Sequence, residues 1–297
     1  MKEGSYRRML VPLDGSEAAE KLYRYAAEVA GRLGMDMDFL YVCQSESRFM
    51  CRTYLEQVAG LAQGIARQVQ SAGGGAGGRP AATRAVVASG DVAGEILRGA
   101  GDSRPDFIMM SAGSRLLGGG LGSVAQKVVH ASRAPVWLLR APPAGGTMLV
   151  PLDGSDLAEL VLPHAERLAR LKGSEMDIVL LRVCEAPDLL ADYPEAIMPH
   201  GWDEHVREVV AGSEHACGLY LEEVQQHLEG SGFRVRSEVL LGNPAAVIPD
   251  YAEKQAASLV VISSHGRSGP SSSGYGHVAG KVLAGVNCPV FLVRPQP

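Results

Sequence analysis

The octapeptide MLVPLDGS occurs twice in this chain of 297 residues, at 9–16 and again at 148–155. Self-similarity of that kind means one structural unit used twice. A second match closes each half. The run Val124-Ala125-Gln126-Lys127-Val128 answers Val278-Ala279-Gly280-Lys281-Val282, and Ala134-Pro135-Val136 answers Cys288-Pro289-Val290. A glycine, Gly122 or Gly276, stands shortly before each VAxKV run. The second half is the longer, and most of its extra length falls between Cys184 and Gly242. A proline- and glycine-rich joint at 141–146 separates the copies, as such linkers commonly do. The expected domains are therefore 1–142 and 143–297.

Inside each half, short apolar runs alternate with runs of helical period. The first half predicts strands at 8–13, 38–43, 84–88, 107–111 and 136–140. Helices fall between them, the first capped by Ser16 and carrying Leu22, Tyr25, Ala26, Val29 and Leu33 at helical spacing. The second half repeats the order, with strands at 148–152, 178–183, 234–240, 259–263 and 290–294. Short apolar strands separated by helices imply a parallel sheet covered on both faces. Right-handed crossovers make each half a doubly wound α/β domain with a five-stranded parallel sheet. Ligands of such sheets sit beyond the carboxyl ends of the strands, where the strand order reverses.

Composition narrows the function. Hydrophobic residues make up 46% and charged residues 21%, a globular balance. No apolar run approaches the roughly 18 residues of a membrane span, and the expected setting is the cytoplasm. The net charge of −5 argues against a general nucleic-acid binder. Residues 1–142 carry 17 basic and 13 acidic side chains, and residues 143–297 carry 11 and 20. The five cysteines, Cys43, Cys51, Cys184, Cys217 and Cys288, form no CxxC pair. They read as reduced, mostly buried thiols rather than a zinc or redox motif.

Two features of each half fall at strand carboxyl ends. Asp14 and Asp153 end the first strands, where a carboxylate accepts hydrogen bonds from a ribose hydroxyl or an adenine amine. Asp-Gly-Ser is equally a turn with a helix cap. After the fourth strand come Ser111-Ala112-Gly113 through Gly122-Ser123, and Ser263-Ser264-His265-Gly266 through Gly276-His277. Both loops run into a helix, where backbone N–H groups and the helix dipole suit a phosphate.

The chain resembles a tandem universal stress protein, with two such domains in one polypeptide. The resemblance rests on VPLDGS after strand one and on a glycine turn after strand three (Ser89-Gly90-Asp91; Leu241-Gly242-Asn243-Pro244). It also rests on SSHGRSG after strand four, on VAxKV and on the closing [AC]PV strand. It implies a Rossmann-like fold of the adenine nucleotide alpha hydrolase-like group. In the ATP-binding branch it implies a loop G-x2-G-x9-G-[ST] after strand four. The aspartate would then lie near ribose and adenine, the end of strand two on adenine, and the glycine loop on the phosphates. Carried onto this chain, the candidates are Asp14, Val42, Ser111, Gly113, Gly122 and Ser123 in the first half. In the second they are Asp153, Val183, Ser263, Gly266, Gly276 and His277.

Neither half keeps the whole loop pattern. Ser263 replaces the first glycine of the second half, and His277 replaces its closing Ser/Thr. Ser111 replaces the first glycine of the first half, Gly113 matches the second, and only eight residues separate Gly113 from Gly122. The implied ligand is ATP or another adenine nucleotide in at least one half, with Mg2+ as a companion of the nucleotide. The implied partners are the two halves themselves, as an intramolecular pseudo-dimer whose closing strands meet, and a further copy of the chain. Neither nucleic acid nor a membrane is expected.

Three readings compete. The first is a non-catalytic nucleotide-binding protein of stress response or signalling. The second is a slow ATP hydrolase, although GxxxxGK[ST] is absent and no general base is evident beside the loop. The third is a degenerate tandem scaffold for protein partners. Seven of the eight histidines lie in the second half. Of these, His200, His205 and His215 lack the i,i+4 spacing of a helical metal site and read as surface residues. The stretch 198–230 reads as a lengthened second helix.

Overall fold

The structure is a computed structural model. It describes residues 6–44, 47–74, 81–113, 120–140, 145–171, 176–185, 202–229, 233–267, 269 and 275–295. The glycine tract at 75–80, the joint at 141–144, the loop at 114–119, His200 and the start of the stretch 198–230 lie outside these residues.

The first half runs β1 (Arg8–Leu13), α1 (Glu17–Leu33), β2 (Asp36–Val42), α2 (Arg48–Val69), β3 (Thr83–Ala88), α3 (Val92–Ser103), β4 (Phe107–Ser111), α4 (Ser123–Ala131) and β5 (Val136–Leu139). The second runs β6 (Thr147–Pro151), α5 (Asp156–Glu159), α6 (Leu162–Ala169), β7 (Asp177–Cys184), α7 (Trp202–Glu229), β8 (Arg234–Leu241), α8 (Pro244–Lys254), β9 (Leu259–Ser263), α9 (His277–Gly285) and β10 (Val290–Val293). Ser16 caps α1 and Ser155 caps α5, each hydroxyl accepting the N–H three residues on. The second copy of the first helix is broken in two. Pro163 has no N–H to give and fits only a first helical turn, so α6 starts afresh around it.

Each half is a five-stranded parallel sheet, and the two join edge to edge in the order β3-β2-β1-β4-β5-β10-β9-β6-β7-β8. The strand order reverses between β1 and β4 and again between β6 and β9. The closing strands meet as expected of a pseudo-dimer. β5 and β10 pair antiparallel, with Trp137 opposite Phe291. Pairing removes two short apolar edges that would otherwise invite association. Phe107, Trp137 and Phe291 pack as a three-ring cluster across this seam, with centroids 5.6–5.7 Å apart. Tyr6 of the first half donates its hydroxyl to His164 Nδ1 of the second, or accepts from it, at 2.7 Å. Two apolar layers, one on each face of the sheet, complete the core. Among the described residues no helix is long and apolar enough to cross a membrane.

The cysteines depart from expectation. Cys43 is bonded to Cys51, and Cys184 to Cys217. Only Cys288, among the described residues, is a free thiol, and burial pushes its pKa up to about 11. The spacing hid the pairs, because each joins a strand end to a helix rather than two neighbours in a motif.

Candidate functional site

The parallel sheet brings the carboxyl ends of β6, β7 and β9 to one rim. Beyond it opens a cavity of about 1350 Å³, and Asp153, Val183, Ser263, Gly266, Gly276 and His277 all line it. These are the six candidates of the second half. Asp153 follows β6 through a glycine turn in which Gly154 has φ +74°. Its Oδ1 accepts the Ser155 N–H at 3.0 Å and the Ser155 hydroxyl at 2.5 Å. Its Oδ2 accepts the Arg267 N–H at 2.6 Å. The carboxylate after the first strand thus ties down the loop after the fourth. A Cβ on Gly266 would overlap Asp153 Oδ2, which is why the loop carries glycine at that point. Burial alone would raise the Asp153 pKa. The bonds from Ser155 and Arg267 and the charge of Arg182 outweigh it and hold the carboxyl below its usual range.

Cations gather on the same wall. Arg182 is buried and donates to the Leu152 carbonyl at 3.2 Å. Its Nε is buried with no partner among the described residues. Burial, then the facing charge of Arg267, lower its pKa. Lys281, one turn into α9, lines the cavity too. His265 is buried, and its Nδ1 meets the Ser264 hydroxyl at 2.9 Å while Nε2 has no partner among the described residues. Burial and Arg294 lower its pKa, which keeps the ring neutral.

The floor of the cavity is the N-terminus of α9. Gly276 caps it without a side-chain hydrogen bond, and its own N–H is held by the Ser264 carbonyl at 2.7 Å. The first-turn N–H groups after it have no partner inside the helix. His277 begins that turn. The arrangement suits an anion at the helix end, with hydrogen-bonding groups for a polar ligand at the aspartate end.

The first half places its six candidates differently. Asp14 is exposed, and its Oδ1 accepts the Ser16 N–H at 3.0 Å. Val42 ends β2 and Ser111 ends β4, where the Ser111 hydroxyl accepts the Gly113 N–H at 3.3 Å. Gly122 bonds to the Ala112 carbonyl as Gly276 bonds to Ser264, so Gly113 stands level with His265 rather than Gly266. This corrects the match of Gly113 to the second glycine. Gly113 has φ +86°, and a Cβ there would lie 3.1 Å from the Gly122 nitrogen. The base of the loop is drawn in glycine against glycine, the loop from Ala112 to Gly122 being two residues shorter than that from Ser264 to Gly276. Ser123 starts α4 and is exposed. Tyr41 takes the place that Arg182 has beside the glycine turn: a Cβ on Gly15 would meet Tyr41, and one on Gly154 would meet Arg182.

The profile of the universal stress protein family matches residues 5–140 and again 146–294. The chain belongs to that family. Two curated relatives each match about half of the chain. A universal stress protein of Bacillus subtilis is 30% identical over 150 residues, which is 50% of this chain and 97% of that protein. One from Methanocaldococcus jannaschii is 26% identical over 147 residues, 50% of this chain and 81% of that one. Solved structures match the whole tandem fold. A functionally unknown protein from Pseudomonas aeruginosa gives a TM-score of 0.69 at 17% identity, covering 98% of this chain and 93% of its own. A universal stress protein from Archaeoglobus fulgidus gives 0.58 at 21%, covering 99% and 98%. The tandem stress protein fold is therefore common to this chain and to both.

Sequence reasoning missed Arg182, Arg267 and the cysteine pairs at this rim. Arg182 sits inside an apolar strand, where a single charge reads as noise. The cysteines did carry a signal, in the shared pattern C-x2-Y-L-E-x-V at Cys51–Val58 and Cys217–Val224.

Proposed function

We propose that the second half binds an adenine nucleotide, ATP among them, and that the protein works as a non-catalytic nucleotide-binding stress protein. The observation that carries this reading is convergence. Six residues chosen from three separate strand ends line one cavity that also holds a helix N-terminus. A carboxylate has about four lone-pair sites, and Asp153 uses three, leaving one for a ribose hydroxyl. Val183 would flank the base. The first-turn N–H groups of α9 would hold the phosphates, with Arg182, Arg267 and Lys281 offsetting their charge. Mg2+ would come with the nucleotide and be held largely by phosphate and water. Among the described residues, no cluster of three or more His, Cys, Asp or Glu would hold a metal by itself. We assign the first half a scaffold role, because its loop is two residues shorter than that of the second half and its base is closed by Gly113 against Gly122.

Isothermal calorimetry with ATP, ADP and AMP tests the reading, alongside mass spectrometry of small molecules released from the denatured protein. One adenine nucleotide per chain is expected. Folded protein that neither carries nor binds any adenine nucleotide overturns it in favour of the scaffold.

A further inference from the structure

The two disulfides occupy the same place in the two halves. Cys43 directly follows β2 and Cys184 ends β7, the equivalent strand. Their partners fall at the same point of the following helix. Cys51 precedes Tyr54, Leu55 and Val58, and Cys217 precedes Tyr220, Leu221 and Val224 at the same steps. Leu55 and Leu221 are both fully buried, and Val58 and Val224 both sit in the core, so the two helices present the same face. The intervening chain is unrelated in length, with a sequence separation of 8 in one pair and 33 in the other. Around these pairs the halves have diverged, Tyr41 against Arg182 being one case. Both cysteine pairs have nonetheless been kept.

The second pair stands at the rim where the ligand is proposed to enter, and the first at the equivalent rim of the scaffold half. Cys184 and Cys217 line the cavity beside Val183 and Tyr220. Cys217 is partly exposed and lines the cavity, which makes it the sulfur of the pair open to attack from that side. One helical turn on, Tyr220 lines the same cavity as Arg182, and Tyr54 packs edge-on against Tyr41 at 5.6 Å. The position of the helix therefore fixes the residues that wall the site. A bond from strand end to helix fastens that wall.

We propose that each cysteine pair is a reversible dithiol–disulfide site that fastens the second helix of its half to the carboxyl rim of the sheet, which in the second half is the binding rim, with a low-molecular-weight thiol as its reductant. Two thiols RSH reduce one Cys–S–S–Cys to two Cys–SH and leave as RS–SR. In the second half the first thiolate attacks Cys217, Cys184 departs as thiolate and takes up a proton, and a second thiol resolves the mixed disulfide. The poise of the surroundings then sets whether the rim is fastened. The consequence for affinity rests on the nucleotide reading above. A fastened wall is already ordered, so the oxidised protein binds nucleotide about tenfold more tightly or better, since ordering even one or two side chains on binding has a cost of that size.

The test uses the full chain equilibrated in oxidised or reduced glutathione, with three readouts. Alkylation under denaturing conditions should label one cysteine in the oxidised protein, Cys288, and all five in the reduced one. Amide hydrogen exchange should accelerate in α2 and α7 on reduction, while β1 and β6 stay protected. Calorimetry with ATP should show the fall in affinity, which Cys217→Ser abolishes and Cys288→Ser preserves. Five labelled cysteines in oxidised glutathione, or equal exchange in both states, overturns the site. Equal ATP affinity in both states overturns the effect on binding. Absence of ATP binding in both states counts against the nucleotide reading instead, and the labelling and exchange results still decide the clip.

Discussion

Asp153 Oδ2 occupies the space that a side chain on Gly266 would need, while accepting the N–H of the next residue, Arg267, at 2.6 Å. The carboxyl end of the first strand of the repeat and the loop after the fourth are thereby locked together. Gly266→Ala forces either the carboxylate or the loop to move. Overpacking of this kind costs about 1–3 kcal/mol. A lowered melting temperature and at least a tenfold loss of ATP affinity are expected. Gly276→Ala is the control for the fold, because its added Cβ meets only the Ser264 carbonyl, at 3.5 Å. Its melting temperature should stay near wild type. Equal melting of all three proteins would show that the Asp153 contact does not hold the loop.

The seam between the halves predicts a pH effect. Burial, helped by the charge of Arg167, lowers the His164 pKa to about 4, against about 6.5 in an unfolded chain. Between those values the unfolded state binds more protons than the folded one. Stability is therefore fully present above pH 6.5 and falls as the pH drops toward 4. The contribution is about 3 kcal/mol at most. Urea denaturation from pH 7 to 4 should show this slope, and His164→Gln should flatten it. A slope unchanged in the variant would assign the acid sensitivity to other groups.

The same seam predicts how each half behaves alone. A fragment of residues 1–142 loses β10 and exposes the edge of β5, four buried apolar residues long. It also uncovers one side of Trp137, which is 1% exposed in the whole chain. Exposed apolar edges pair. Light scattering after size exclusion should find the fragment dimeric or larger, while Phe291→Ala in the full chain costs about 3–5 kcal/mol. A monodisperse fragment monomer would argue that β5 needs no partner.

Much of this was legible in the sequence, for physical reasons. The runs at 107–111 and 259–263 are apolar without alternation because both faces of the sheet are covered, and the repeat supplied the same order of strands and helices twice. The six second-half candidates meet in one cavity because parallel strands must end on one rim. Three things were hidden. The break between α5 and α6 turns on a single residue, Pro163, in an otherwise helical pattern. The cysteine pairing crosses from strand to helix over different chain lengths, so it shows only when both copies are laid over each other. Arg182 is buried and His164 half-buried, and their roles depend on Arg267, Asp153 and Tyr6, all distant in sequence.

Stoichiometry separates the two halves. In the second, Asp153 sits in the cavity with the α9 N-terminus and three cations; in the first, Asp14 is exposed and Gly113 closes on Gly122. Asp153→Ala removes an acceptor and the negative charge that offsets the mutual repulsion of Arg182 and Arg267. A hydrogen bond involving a charged group is worth roughly 1.5–3 kcal/mol, or about tenfold or more in affinity. Calorimetry should therefore give one ATP per wild-type chain, the same for Asp14→Ala, and weak or no binding for Asp153→Ala. The Asp153 pKa is held below its usual range, so the carboxylate stays ionised above about pH 4 and its support is lost only as the pH falls through that lowered pKa. Binding should accordingly be level between pH 7 and 5 as far as Asp153 is concerned. Two ATP per chain, or a loss on Asp14→Ala equal to that on Asp153→Ala, would mean that the first half binds as well and that its closed loop opens for the ligand.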